Sequence, residues 1–173
     1  MKTIVINHDN LKEEEVDEIV VRAKGLLIDD NDNIMLGYAH KTYQFPGGHV
    51  KEGEDNLETL LREIKEETGI ELENKNIKPF EKVVYYTKNY RNSGLNRLNE
   101  IYYYVINTNE RVNKKEMNLD DWEKTGKYVI KKFPVKDVEK VLNETIDDNP
   151  INRIITEEMT EVMATYREMF NKE

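Results

Sequence analysis

Residues Gly48 to Ile70, reading G-H-V-K-E-G-E-D-N-L-E-T-L-L-R-E-I-K-E-E-T-G-I, constrain this chain more than any other stretch. The pattern predicts a helix from about Asn56 to Thr68. Asp55 is a good N-cap with Glu58 three residues later in capping-box register, and Gly69 stands where a left-handed C-terminal residue is wanted. At about 100° per residue, Leu57, Leu60, Leu61 and Ile64 fall on one arc and are expected to face a core. Glu63, Glu66 and Glu67 fall on the neighbouring arc. Carboxylates within one helical turn repel one another, so a positive partner is expected among them. Oxygen donors gathered without His or Cys suit a hard divalent cation such as Mg²⁺ or Mn²⁺. The competing explanation is a solvated acidic face on an ordinary surface helix.

The rest of the spacing favours the cation. Gly48, five residues, Glu54, seven residues, then Arg62-Glu63-Ile64-Lys65-Glu66-Glu67-Thr68-Gly69-Ile70 resembles the Nudix box at every specified position. The resemblance implies an α/β/α sandwich with a mixed sheet and a metal-dependent hydrolase of diphosphate linkages. Carried over by position, it implies metal ligation by Glu63, Glu66, Glu67 and the backbone carbonyl of Gly47. It also implies that Arg62 pairs with Glu54 and holds the loop against the helix. Glu63 or Glu66 is expected to act as general base, with Glu116 and Glu123 as alternatives outside the box. Among His8, His40 and His49, only His49 lies inside the box.

At 173 residues the chain supports one domain spanning 1–173, with about 1–18 as a polar lead-in. No run approaches the roughly 18 apolar residues of a membrane span, and the charged N-terminus does not read as a signal peptide. Cysteine is absent, which removes disulfides, thiol nucleophiles and zinc–thiolate sites and suits a cytoplasmic protein. The net charge of −9 opposes polynucleotide backbones. It does not oppose a small phosphorylated partner arriving with a cation, because the cation inverts the local field.

Two apolar runs, 19–28 and 34–38, flank Asp29-Asp30-Asn31-Asp32-Asn33 and read as a β-hairpin. The cluster is no calcium loop, since Ile34 stands where the loop glycine belongs and His40 where its last glutamate belongs. Arg22 and Lys24 lie two apart on the first strand and share a face, either as solvated positions or as contacts to a phosphate or base. Thr42–Phe45 is a short strand ended by Pro46-Gly47-Gly48. Further strands are expected over 77–88, 97–106 and 127–133. Helical pieces are expected near 117–123 and from Pro134 to about Asn143. Asp148-Asn149-Pro150 starts a final helix whose apolar positions keep helical spacing for about 20 residues. That face is expected to pack on the sheet, with a homodimer contact as the alternative.

Substrate choice lies outside the box. Arg22, Lys24, Phe45 and Tyr86 are the candidate substrate contacts. Tyr86 follows Ile70 by 16 residues, where diadenosine polyphosphate hydrolases of the resembled family tend to carry tyrosine. NTPs, dinucleoside polyphosphates, ADP-ribose and nucleotide sugars all fit the chemistry. An isoprenoid diphosphate isomerase on the same fold needs a cysteine that is missing. A non-catalytic nucleotide or ADP-ribose sensor is the remaining alternative, and it does not require the complete box present here.

Overall fold

Runs of branched and aromatic residues set the long strands. The computed structural model describes residues 1–146 and 148–170. Among these, one eight-stranded sheet contains β1 (Lys2–Ile6), β2 (Glu18–Ile28), β3 (Asn33–Ala39), β4 (Thr42–Gln44), β5 (Gly47–His49), β6 (Ile77–Thr87), β7 (Arg97–Asn107) and β8 (Val129–Pro134). The path runs β1-β6-β7-β2-β3-β4, with β5 paired to β2 and β8 to β3. The β1–β6 and β2–β7 pairs are parallel and the other pairs antiparallel, which makes the sheet mixed. The helices are α1 (Asn56–Thr68), α2 (Asp121–Thr125), α3 (Val138–Glu144) and α4 (Pro150–Phe170). No helix among the described residues is long and apolar enough to cross a membrane.

The expected hairpin is β2–β3, in register Leu27↔Met35 and Ile28↔Ile34. Asp29 closes its turn by accepting from the amides of Asn31 at 3.0 Å and Asn33 at 2.9 Å, the usual role of Asp in a tight turn. The polar lead-in opens with β1, which runs parallel to β6 from Lys2↔Glu81 to Ile6↔Tyr85. Ile4 and Ile6 pack on the core while Val5 faces outward, so three apolar residues suffice for an edge strand. Pro134 ends β8 instead of opening a helix. A 3₁₀ turn at Val135–Asp137 precedes α3, and the helical piece expected at 117–123 is shifted to α2.

Alternation along β2 and β7 divides the core in two. Leu26, Ile28, Ile101, Tyr103 and Val105 face the side covered by α3 and α4, while Ala23, Leu27 and Ile106 face α1. Asn149 caps α4, its side chain accepting from the amides of Ile151 and Asn152. Met159, Val162, Met163 and Tyr166 of α4 are buried in the larger core cluster, so the inner face of this helix packs on the sheet as expected. Burial of this kind contributes about 2 kcal/mol per side chain, which is ample to hold a helix in place.

One polar contact breaks that apolar layer. Lys24 Nζ donates to Glu158 Oε1 at 3.0 Å, and the Tyr103 hydroxyl donates to the same oxygen. Both charged side chains are almost fully buried. The pair sets where α4 sits along β2, while apolar burial supplies the attraction. Lys24→Met leaves Glu158 buried without its cation and is expected to destabilise the fold by about 3 kcal/mol in urea unfolding. The double variant Lys24→Met/Glu158→Leu should recover most of that loss.

Candidate active site

The ends of α1 are capped as the sequence predicts. Asp55 accepts from the amides of Leu57 and Glu58 at 2.8 Å, and Glu58 accepts in return from the Asp55 amide at 2.9 Å. Gly69 adopts φ 69° and its amide reaches Lys65 O at 2.8 Å. Leu60 and Ile64 are fully buried against the sheet, Leu57 packs at the margin, and Leu61 is half-buried outside the cluster. This seating turns Glu63 and Glu67 toward the Gly47–Gly48 turn. Gly48 packs so tightly there that a Cβ would stand 2.5 to 2.6 Å from the Glu63 carboxylate oxygens. Gly47, at φ 136°, has no space for a side chain beside the backbone of Ala23 and Lys24.

Arg62 is the cation the carboxylates require. Its Nε and Nη2 donate to Glu54 at 2.7 and 2.9 Å, a bidentate fork, and Nη2 also reaches His49 O at 3.1 Å. Nη1 donates to Glu63 at 2.6 Å and Glu66 at 3.2 Å. These hydrogen bonds hold the Glu54 carboxyl down at about 2. Burial dominates at Glu63 and pushes its carboxyl up despite Arg62.

Glu67 lies deeper, without a cationic side chain. Its Oε2 accepts from the Gly47 amide at 3.1 Å and the Tyr128 hydroxyl at 2.7 Å. Burial drives its pKa well up, and repulsion from Glu123 and Glu63 adds to the effect. Glu123, from α2, is itself buried and raised by burial. The α2 N-cap aims it there, with Asp120 accepting from the Glu123 amide at 2.7 Å. Of the two carboxylates expected as outside alternatives, the fold therefore brings Glu123 to the cluster and leaves Glu116 exposed near Lys65.

Glu63, Glu66, Glu67 and Glu123 offer only oxygen donors, and Arg62 compensates part of their charge; oxygen is the donor type a hard dication takes. Among the described residues no three His, Cys, Asp or Glu side chains stand close enough together to hold a metal ion.

On the other face of β5 the charge reverses. His49 pairs with Arg22 across β5–β2, and Arg22 Nη2 meets His49 Nε2 at 2.9 Å. Burial pushes the His49 imidazole down to about 4, with Arg22, Arg97 and Lys24 adding to the shift, so the ring is neutral. Arg22 and Lys24 share that face but differ in their partners: Lys24 is locked onto Glu158, while Arg22 meets the neutral Asn99 and His49. Phe45 sits in the core edge-on to Tyr103 at 5.6 Å and is 1 % exposed. Tyr86 lies opposite Leu98, and strand alternation turns it away from the face of Arg22. Its neighbour Tyr85 is on that face with Asn99 and Arg97, three residues that no spacing rule in the sequence singled out. A cavity of about 420 Å³ shares Tyr128 with the carboxylate cluster and is lined further by Val112, Met117, Leu119 and Ile130, with Lys114 and Lys124.

The NUDIX domain model matches residues 15–154. Curated proteins compared with the chain give no match. Solved structures with a similar fold include a Caenorhabditis elegans Ap4A hydrolase in a binary complex, at 17% identity and TM-score 0.55, covering 88% of this chain and 98% of that one. A NUDIX hydrolase from Nitrosomonas europaea is similar at 16% identity and TM-score 0.55, with 87% and 90% covered. A structure from work on MutT of Aliivibrio salmonicida and Vibrio cholerae follows at 17% identity and TM-score 0.52, with 85% and 98% covered. At these identities the likeness is one of fold.

Removing the shared cation should be costly. Arg62→Leu strands Glu54, Glu63 and Glu66 together and is expected to lower stability by about 2 kcal/mol or more in chemical denaturation. The depressed Glu54 carboxyl also gives a signed pH dependence. Its contribution is complete above the ordinary carboxylate value of 4.5 and is lost as pH falls toward about 2. The melting-temperature gap between wild type and Glu54→Gln should therefore close as the pH is lowered through that window.

Proposed function

The chain belongs to the Nudix family, and from that premise we propose that it is a metal-dependent pyrophosphohydrolase cleaving a diphosphate linkage in a nucleotide-derived small molecule by attack of water on phosphorus. The observation that carries this reading is the complete box folded as one unit. Glu63 and Glu67 stand against the Gly47–Gly48 backbone, with one arginine for four carboxylates.

Glu63, Glu66, Glu67 and the Gly47 carbonyl are the groups to hold Mg²⁺ or Mn²⁺. A bound dication supplies charge neutralisation on the phosphates and a more acidic water. Every other step falls to the chain itself. Arg62 keeps Glu54, Glu63 and Glu66 in one constellation. Glu63 or Glu66 takes the proton from water. Tyr128 and the Gly47 amide orient Glu67. Arg22, on the far face of β5, faces the substrate. The cavity beside Tyr128 falls within the ~300–1,000 Å³ range of small-molecule sites and offers apolar room for the rest of that molecule. The Ap4A hydrolase and MutT among the fold neighbours set the span of substrates to assay. With no cysteine to protect, we place the enzyme in the cytoplasm.

Turnover should be tested on NTPs, dinucleoside polyphosphates, nucleotide sugars and ADP-ribose with Mg²⁺ or Mn²⁺. Glu63→Gln and Glu67→Gln are each expected to lower metal-dependent turnover at least ~100-fold. Near wild-type rates in both would place the chemistry elsewhere. Binding across the panel without turnover would instead identify a nucleotide sensor on this fold.

A further inference from the structure

Helix α2 is poorly held by its own residues. It is five residues long, far below the roughly 12 that an isolated helix needs in water, and its one buried side chain is Glu123. That carboxyl lies beside Glu67 and in the field of Glu63, so charge pushes it away from the place where the fold keeps it. The large apolar residue of the helix, Trp122, stays out of the core and is 41 % exposed. Apolar burial therefore does not account for the seat of α2.

What meets Trp122 is His40, from the turn between β3 and β4. Ala39 pairs with Thr42, which leaves His40 and Lys41 as a two-residue hairpin loop at φ 48° and 66°. The His40 and Trp122 rings stack with centroids 4.4 Å apart, and His40 Nε2 lies 2.9 Å from the Trp122 carbonyl oxygen. A carbonyl only accepts, so Nε2 carries the hydrogen and donates it. The contact also needs space. A Cβ on Gly126, at the end of α2, would stand 2.5 Å from His40 Nε2, although the Gly126 angles of φ −77° and ψ −1° suit any residue. Consecutive helical residues point about 100° apart, so Trp122 can be gripped from outside while Glu123 reaches inward.

We propose that His40 is a positioning residue: by holding Trp122 it fixes α2, and so keeps Glu123 beside Glu67 as a functional member of the acid cluster. This rests on the reading of the carboxylates as the hydrolytic site. His40 acts only through Glu123. A shift of about 1 Å at a reacting group can cost about 100-fold in rate even when the altered residue is remote, so loss of the grip should be visible in turnover.

The test uses whichever compound of the panel the wild type cleaves best. His40→Ala should lower kcat at least ~10-fold with KM little changed, and His40→Gln, whose side-chain amide donates to the same oxygen, should recover most of the loss. Glu123→Gln should lower kcat as well, and His40→Ala added to it should lower kcat by less than ~3-fold more. A contact that merely lends stability gives losses that multiply, with His40→Gln no better than His40→Ala. Either of those results, or a wild-type kcat in His40→Ala, overturns the proposal. Should His40→Ala fail to fold, Gly126→Ala breaks the same contact from the side of α2. A kcat loss that does not deepen in the Glu123→Gln background then supports the proposal, and an unchanged kcat or multiplying losses overturn it. If wild type cleaves nothing, the hydrolase reading fails, and calorimetry with Mn²⁺ decides the positioning separately. Affinity weakened at least ~10-fold by His40→Ala and restored by His40→Gln supports it, and equal affinity, or no binding to wild type, overturns it.

Discussion

Repulsion among acids on one helix face is the constraint around which the molecule is built. Glu63, Glu66 and Glu67 are within one turn of each other, and tertiary packing adds Glu123. Left to itself, such a group would turn outward into water. Here three features prevent that. Arg62 forks onto Glu54 and reaches Glu63 and Glu66, the Tyr128 hydroxyl and the Gly47 amide hold Glu67 inward, and the apolar side of α1 is clamped to the sheet by Leu60 and Ile64. The arrangement holds more negative charge than its one arginine balances. An excess of this kind is what a dication would offset.

The short strand β5 joins the two halves of the site. Glycine at positions 47 and 48 lets the backbone lie against β2 on one side and the Glu63 carboxylate on the other. Strand alternation then sends Gly48 toward the acids and His49 toward Arg22. Acidic and basic regions are thus placed back to back across a single layer of backbone.

Helix α4 contributes in a different way. Met159, Val162, Met163 and Tyr166 close the larger core, and Lys24–Glu158 sets the position of the helix against β2 and β7. The same ion pair removes Lys24 from the exposed charge on that face. Arg22 keeps only neutral partners, although sequence spacing makes the two residues look equivalent.

Local rules made much of this legible. The capped helix over 56–68, the hairpin at 29–33, the strands of β6 and β7 and the start of α4 all follow from patterns a few residues long: periodicity, caps and turn residues. The grouping of Glu63, Glu66 and Glu67 lies within that range too, because helical spacing sets it, whereas the pairing of Arg62 with Glu54 was implied by the resemblance to the Nudix box. The amino-acid sequence alone thus determined the family, the acidic face and its internal arginine. Only the tertiary structure decided that Glu123 joins the acids and Glu116 does not, that Phe45 belongs to the core, that Tyr85 rather than Tyr86 shares the face of Arg22, and that Asn99 bonds to Arg22. Each of these depends on strand register or on a loop docking between residues tens of positions apart. A one-residue change of register reverses every side chain of a strand, and no local pattern encodes which alternative the packed sheet selects.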